Sequence, residues 1–117
     1  MNRTRQETFD YVFNQLVAQG GPSYRGSKCL YNGPDGRHCA IGWLFADAGV
    51  TAPEGYGVAS VAAGQLVPWL LADLVFYLDL QRAHDDTNRD VPWEPEITDS
   101  FRTLAADYGL TFKEDRS

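Results

Sequence analysis

Two short stretches of this sequence carry side chains able to do chemistry. Cys39 follows His38 at the point where an apolar run, Ala40 to Ala48, begins, and farther along His84 precedes Asp85. A thiol at a helix N-terminus beside positive charge has a lowered pKa, and the thiolate is the nucleophile. A histidine with a neighbouring carboxylate is a general base oriented by an acid. Cys39, His84 and Asp85 would thus suit a cysteine-dependent hydrolase or transferase, provided the fold brings them together. The competing reading makes Cys39 a small buried core residue and His84 a helix-terminal cap. The sequence favours the packing reading, so the non-enzymatic reading leads.

Metal and phosphate chemistry fit less well. Structural zinc sites bring ligands in close pairs, whereas Cys29 and Cys39 stand ten positions apart. No metal site and no cofactor are expected. Gly33, Gly36 and Gly42 lack the spacing of a phosphate-binding loop or dinucleotide fingerprint. The run Asn32-Gly33-Pro34-Asp35-Gly36 reads instead as a turn, because Pro fixes its own φ and Gly tolerates positive φ. Gly42 reads as a site of close helix packing.

These residues need elements to position them. Thr4 and Glu7 form a capping-box pattern, and Phe9, Val12, Phe13, Leu16 and Val17 recur on one helical face, predicting a helix from Arg5 to Gln19. Gly20, Gly21 and Pro22 end it. Short strands on either side of the 32–36 turn predict a hairpin; pairing Tyr31 with Arg37 would set Cys29 opposite Cys39, and a one-residue shift would separate them. Ala40 to Ala48 reads as a short helix and residues 50–57 as a loop, with another short helix over Val58 to Leu66. Trp69 to His84 reads as a central helix broken near Asp73, with Leu70, Leu71, Leu74, Val75 and Leu78 facing the core. After a polar loop, a last helix starts near Pro95, buries Ile97, Phe101, Leu104, Ala105 and Tyr108, and ends at Gly109. The expected fold is mainly α. It is a single-domain bundle of four to six helices over residues 1–117, with a small β-hairpin around residues 28–39 and a frayed tail at 113–117.

Composition narrows the function classes. The 117 residues are 44% hydrophobic and 22% charged, which is globular composition. Sixteen acidic against ten basic residues give a net charge of −6 and no clustered basic patch, which disfavours direct nucleic-acid binding. The longest apolar stretch, Leu66 to Leu80, is interrupted by Pro68, Asp73 and Asp79, so no membrane span is expected. The N-terminus carries no apolar export-signal run, so Cys29 and Cys39 are expected as thiols in a reducing cytoplasm.

The sequence resembles a family of small phage- and prophage-associated proteins to which no activity is assigned. The likeness rests on Tyr31-x-Gly33-Pro34-Asp35-Gly36-x-x-Cys39-Ala40-Ile41-Gly42-x-Leu44, then Leu80-Gln81-x-x-His84-Asp85, Trp93, and Ala105-x-x-Tyr108-Gly109-Leu110. It covers most of the chain, with residues 50–66 contributing little. It implies a mobile-element origin in a bacterial host and brings no catalytic role to Cys39, His84 or Asp85. Small acidic phage proteins often act stoichiometrically by blocking or redirecting a host machine. The expected function is therefore protein binding, in its sharpest form inhibition of host defence of the anti-CRISPR type. Tyr56 and Trp93 would supply aromatic anchors and Asp86, Asp90 and Glu94 an acidic surround, suited to a partner with a basic surface.

Overall fold

The structure, a computed structural model, describes residues 4–21, 24–25, 28–29, 31, 33, 36–49, 68–85 and 91–112, with the backbone alone for 24–25, 28–29 and 68. The expected loop at 50–57, the helix over Val58 to Leu66 and the tail at 113–117 lie outside these residues.

Five helices appear among the described residues. They are α1 (Arg5–Gln19), α2 (Ala40–Ala48), α3 (Pro68–Ala72), α4 (Leu74–Asp85) and α5 (Trp93–Tyr108). The first begins as its sequence dictates. The Glu7 N–H donates to Thr4 Oγ1 (3.1 Å) and the Thr4 N–H to Glu7 Oε1 (2.9 Å), so two of the otherwise unpaired donors at the helix start are satisfied. Gly20, at φ +77°, turns the chain out of the helix. In α5, Pro92 is the N-cap and Pro95 falls inside the first turn, where its missing N–H has no intrahelical role. The helix therefore starts two residues before Pro95 rather than on it.

The four longer helices close a ring in which each packs on two others: α1 on α2 and α5, α4 on α2 and α5. Phe9 and Phe13 of α1 meet Phe101 of α5 at ring separations of 5.4 Å, and Phe112, just past α5, sets its edge on both. A second file of rings runs from Tyr31 through Phe45, Trp69, Tyr77 and Phe76 to Tyr108. Tilted and edge-on contacts of this kind add to the burial of large apolar area.

Two expectations need correction. The β-pairing joins β1 (Tyr24–Arg25) to β2 (Lys28–Cys29), antiparallel, with Tyr24 opposite Cys29 and Arg25 opposite Lys28. The strand partner of residue 29 thus precedes it, and the register that would set Cys29 opposite Cys39 does not occur; Cys39 is a free thiol. The Gly33 N–H donates to the Arg37 carbonyl at 2.7 Å, while Asn32, Pro34 and Asp35 of the expected turn lie outside the described residues. Tyr31 forms no ladder with Arg37, because its carbonyl accepts from His38 Nδ1 (2.9 Å) and lies against Gly42.

The second correction concerns α4. Leu70 is buried and Leu74 and Leu78 pack half-buried against the core as expected, but Leu71 is exposed and Val75 is 68% exposed, and the buried face of α4 is Phe76, Tyr77, Leu80, Ala83 and His84. Leu70, Tyr77 and His84 recur every seven residues on one buried face across Asp73, and the two aromatic rings lie on that face. Burying Phe76 and Tyr77 removes more apolar area from water than burying Leu74 and Val75 would.

Candidate functional site

Cys39 is the N-cap of α2, with extended backbone, and no part of it reaches the surface. Among the described residues its thiol makes no hydrogen bond, to His84 or to any other group. The helix start is satisfied from elsewhere. Gln81, on α4, accepts the Ile41 N–H at 3.0 Å, so a neighbouring helix supplies the cap that Cys39 does not.

The same amide reaches the acid–base pair. Gln81 Nε2 donates to Asp85 Oδ1 at 3.1 Å, and that oxygen also accepts from His84 Nδ1 at 2.9 Å. A carboxylate only accepts, so the proton of this bond sits on Nδ1. The imidazole has no exposed surface and meets the edge of Trp93, whereas the Asp85 side chain is 39% exposed. His84 and Asp85 therefore come together as the sequence suggests. Cys39 joins them indirectly, through the Ile41 backbone and Gln81. Such a net can hold an imidazole in one tautomer and lock α2 against α4. Attack by the thiol on a substrate needs an exposed sulfur within reach of the base, and this sulfur is enclosed.

A second polar joint forms where the turn motif meets α1. Gln19 Oε1 accepts from the His38 N–H (3.0 Å) and from Trp43 Nε1 (2.9 Å). Gln19 Nε2 donates to the His38 and Gly21 carbonyls at 2.9 and 2.7 Å. The His38 ring packs against Trp43 with centroids 4.5 Å apart. Gly42 lets α2 approach: a Cβ there would stand 2.2 Å from the Tyr31 carbonyl oxygen. Tyr31, His38 and Gly42 thus form a packed joint between α1 and α2, and Asn32, Pro34 and Asp35 lie outside the described residues. Gln81 stands beside His84 and Asp85 in the sequence motif, but the capping role of Gln81 and the part played by Gln19 are not read from the sequence. For Gln81 the available signal is a lone side-chain amide on a helix rich in large apolar residues, a position where burial demands partners; Gln19 is one of several amides on α1 and carries no such signal.

The expected binding residues divide. Tyr56, Asp86 and Asp90 lie outside the described residues. Glu94 is exposed in the first turn of α5, where a carboxylate complements the helix dipole. Trp93 is half-buried, and its indole N–H donates to the Leu16 carbonyl at 2.6 Å, which closes α5 onto the end of α1. Among the described residues no group of three His, Cys, Asp or Glu side chains could hold a metal ion, and no helix is long and apolar enough to cross a membrane. In comparisons with known proteins the chain matches no family model, no curated protein and no solved structure.

Proposed function

We propose that this chain acts stoichiometrically, as a non-enzymatic protein that binds a host or phage macromolecular machine. Its sharpest form is an inhibitor of host defence of the anti-CRISPR type, working in the cytoplasm of a bacterial host. The observation that carries the non-enzymatic half is the enclosure of Cys39 and His84, the two groups a cysteine enzyme would have to present to substrate. Cys39 is instead packed in the core and His84 is bonded to Asp85 on its own helix, while Gln81 makes the hydrogen bond that joins α2 to α4. The phage origin rests on the resemblance of the Tyr31–Leu44 and Leu80–Asp85 motifs. A partner with a basic surface follows from the net charge of −6.

Two measurements test this reading. Affinity capture with the tagged chain from a bacterial lysate should return one defined protein complex in fixed stoichiometry, and association should slow as salt is raised. Iodoacetamide near neutral pH should modify Cys39 far more slowly than a free cysteine. Rapid labelling of Cys39 that slows when His84 is replaced by Asn would overturn the proposal in favour of the hydrolase or transferase.

A further inference from the structure

Between α4 and α5 lies an open groove of about 490 Å³. Asp79 and Arg82 stand on its α4 rim, Thr103 and Asp107 on its α5 rim, and Ala83 and Leu104 form an apolar floor. Two cross-links hold its walls. Ser100 Oγ donates to the Ala83 carbonyl at 2.6 Å, and the Tyr108 hydroxyl donates to Asp79 Oδ2. The helices therefore flank a fixed trough rather than a gap that could close.

We infer that this groove is a docking site for a short, basic amphipathic helix of a protein partner. The inference rests on the protein-binding reading above and names the surface and the partner chemistry. Charge decides the occupant. Asp107 is exposed and, among the described residues, its carboxylate has no hydrogen-bond or ionic partner. Across the groove, Asp79 Oδ1 has Arg82 Nη1 only at 3.9 Å, and the Arg82 side chain is 71% exposed. That weak pair can open for an incoming cation, since exposed ion pairs at such distances contribute little. A cationic ligand thus meets a carboxylate on each rim, with Ala83 and Leu104 beneath for an apolar side chain.

Length and shape fit a helix. The α5 rim from Ser100 to Asp107 advances about 10 Å at 1.5 Å per residue, which matches roughly two helical turns. A third helix laid into the furrow between two others is a recurrent mode of recognition. Beyond the groove's lining, Val75 is 68% exposed one turn before Asp79 and two before Arg82 on the same side of α4.

The test is a titration of the isotope-labelled full chain followed by amide chemical shifts. The probe is an amidated amphipathic helical peptide of lysine, leucine and alanine, and its control carries glutamate in place of lysine. Saturable shifts should centre on Ala83, Thr103 and Asp107 and be absent with the control. Asp107→Lys, which reverses one rim, and Thr103→Trp, which fills the trough, should each weaken binding by roughly tenfold or more. Both positions are exposed, so the variants should retain the helical circular dichroism of the parent. Shifts scattered over Asp47 and Glu94, or an affinity indifferent to both substitutions, would overturn the groove. If the chain nevertheless captures a partner from lysate, the binding function stands and its surface lies elsewhere.

Discussion

Gln81 Oε1 accepts the Ile41 N–H at 3.0 Å, so the start of α2 is capped by a side chain forty residues away in sequence. Removing that amide leaves a helix-terminal donor unpaired and releases Asp85 from one of its contacts. Gln81→Ala should cost about 1–2 kcal/mol in urea unfolding, in the range of lost helix caps. Gln81→Glu keeps the acceptor but sets a carboxylate beside Asp85, and it should recover little of the loss at neutral pH. Wild-type stability in Gln81→Ala would mean that the cap contributes nothing.

Gly42 faces the Tyr31 carbonyl so closely that any Cβ would stand 2.2 Å from its oxygen. The contact is backbone to backbone, so no side chain can rotate away to relieve it. Gly42→Ala should push the turn off α2, break the His38 to Tyr31 bond, and destabilise by about 2 kcal/mol or more. Ala is otherwise the better helix former by about 1 kcal/mol, so a stabilised variant would show that the close approach is absent.

Thr8 offers the opposite sign. It is buried on α1, and among the described residues its hydroxyl has no hydrogen-bond partner. A buried polar group without a partner costs about 1–3 kcal/mol. Thr8→Val keeps the shape and removes the orphan hydroxyl, so it should raise stability by about 1 kcal/mol, read as a higher denaturation midpoint with an unchanged slope.

The helices were legible because their signals are local. Thr4 with Glu7, the glycines at 20, 49 and 109, and the spacing of Ile97, Phe101 and Leu104 each specify an end or a face within a few residues. The hairpin was misplaced because the longer turn motif, residues 32–36, outweighed Gly26-Ser27, the two-residue spacer between Arg25 and its partner Lys28. The spacing of Leu70, Leu74 and Leu78 suggests an interior stripe that would also take in Leu71 and Val75, whereas the larger rings of Phe76 and Tyr77 turn the buried face away from those two residues. In the candidate site, adjacency made His84 and Asp85 visible as a pair. Whether Cys39 would face them in the open depended on how α2 packs on α4, which no local pattern encodes.

The Arg5 cluster gives the protein two pH limits with distinct owners. The guanidinium donates to both Asp73 oxygens at 2.8 Å and lies over the rings of Phe76 and Tyr108. Its hydrogen bonds hold the Asp73 carboxyl below the ordinary value of 3.8. A carboxylate depressed by folding stabilises the native state above that value, and the contribution is lost as pH falls through the lower, folded one. Tyr108 runs the other way. Burial first, then its bond to the Asp79 carboxylate, push the phenol from 10.0 up to about 12. A raised acid favours the protonated fold, so its contribution is complete below pH 10 and disappears as pH rises to about 12. Melting temperatures taken across pH should therefore show Asp73→Asn flattening only the acid limb. Tyr108→Phe should lower stability at neutral pH and flatten only the stretch between pH 10 and about 12. The other tyrosines titrate in both proteins, so the difference between parent and variant is the quantity to read. An alkaline limb identical in parent and Tyr108→Phe would show that the Tyr108–Asp79 bond does not couple to folding.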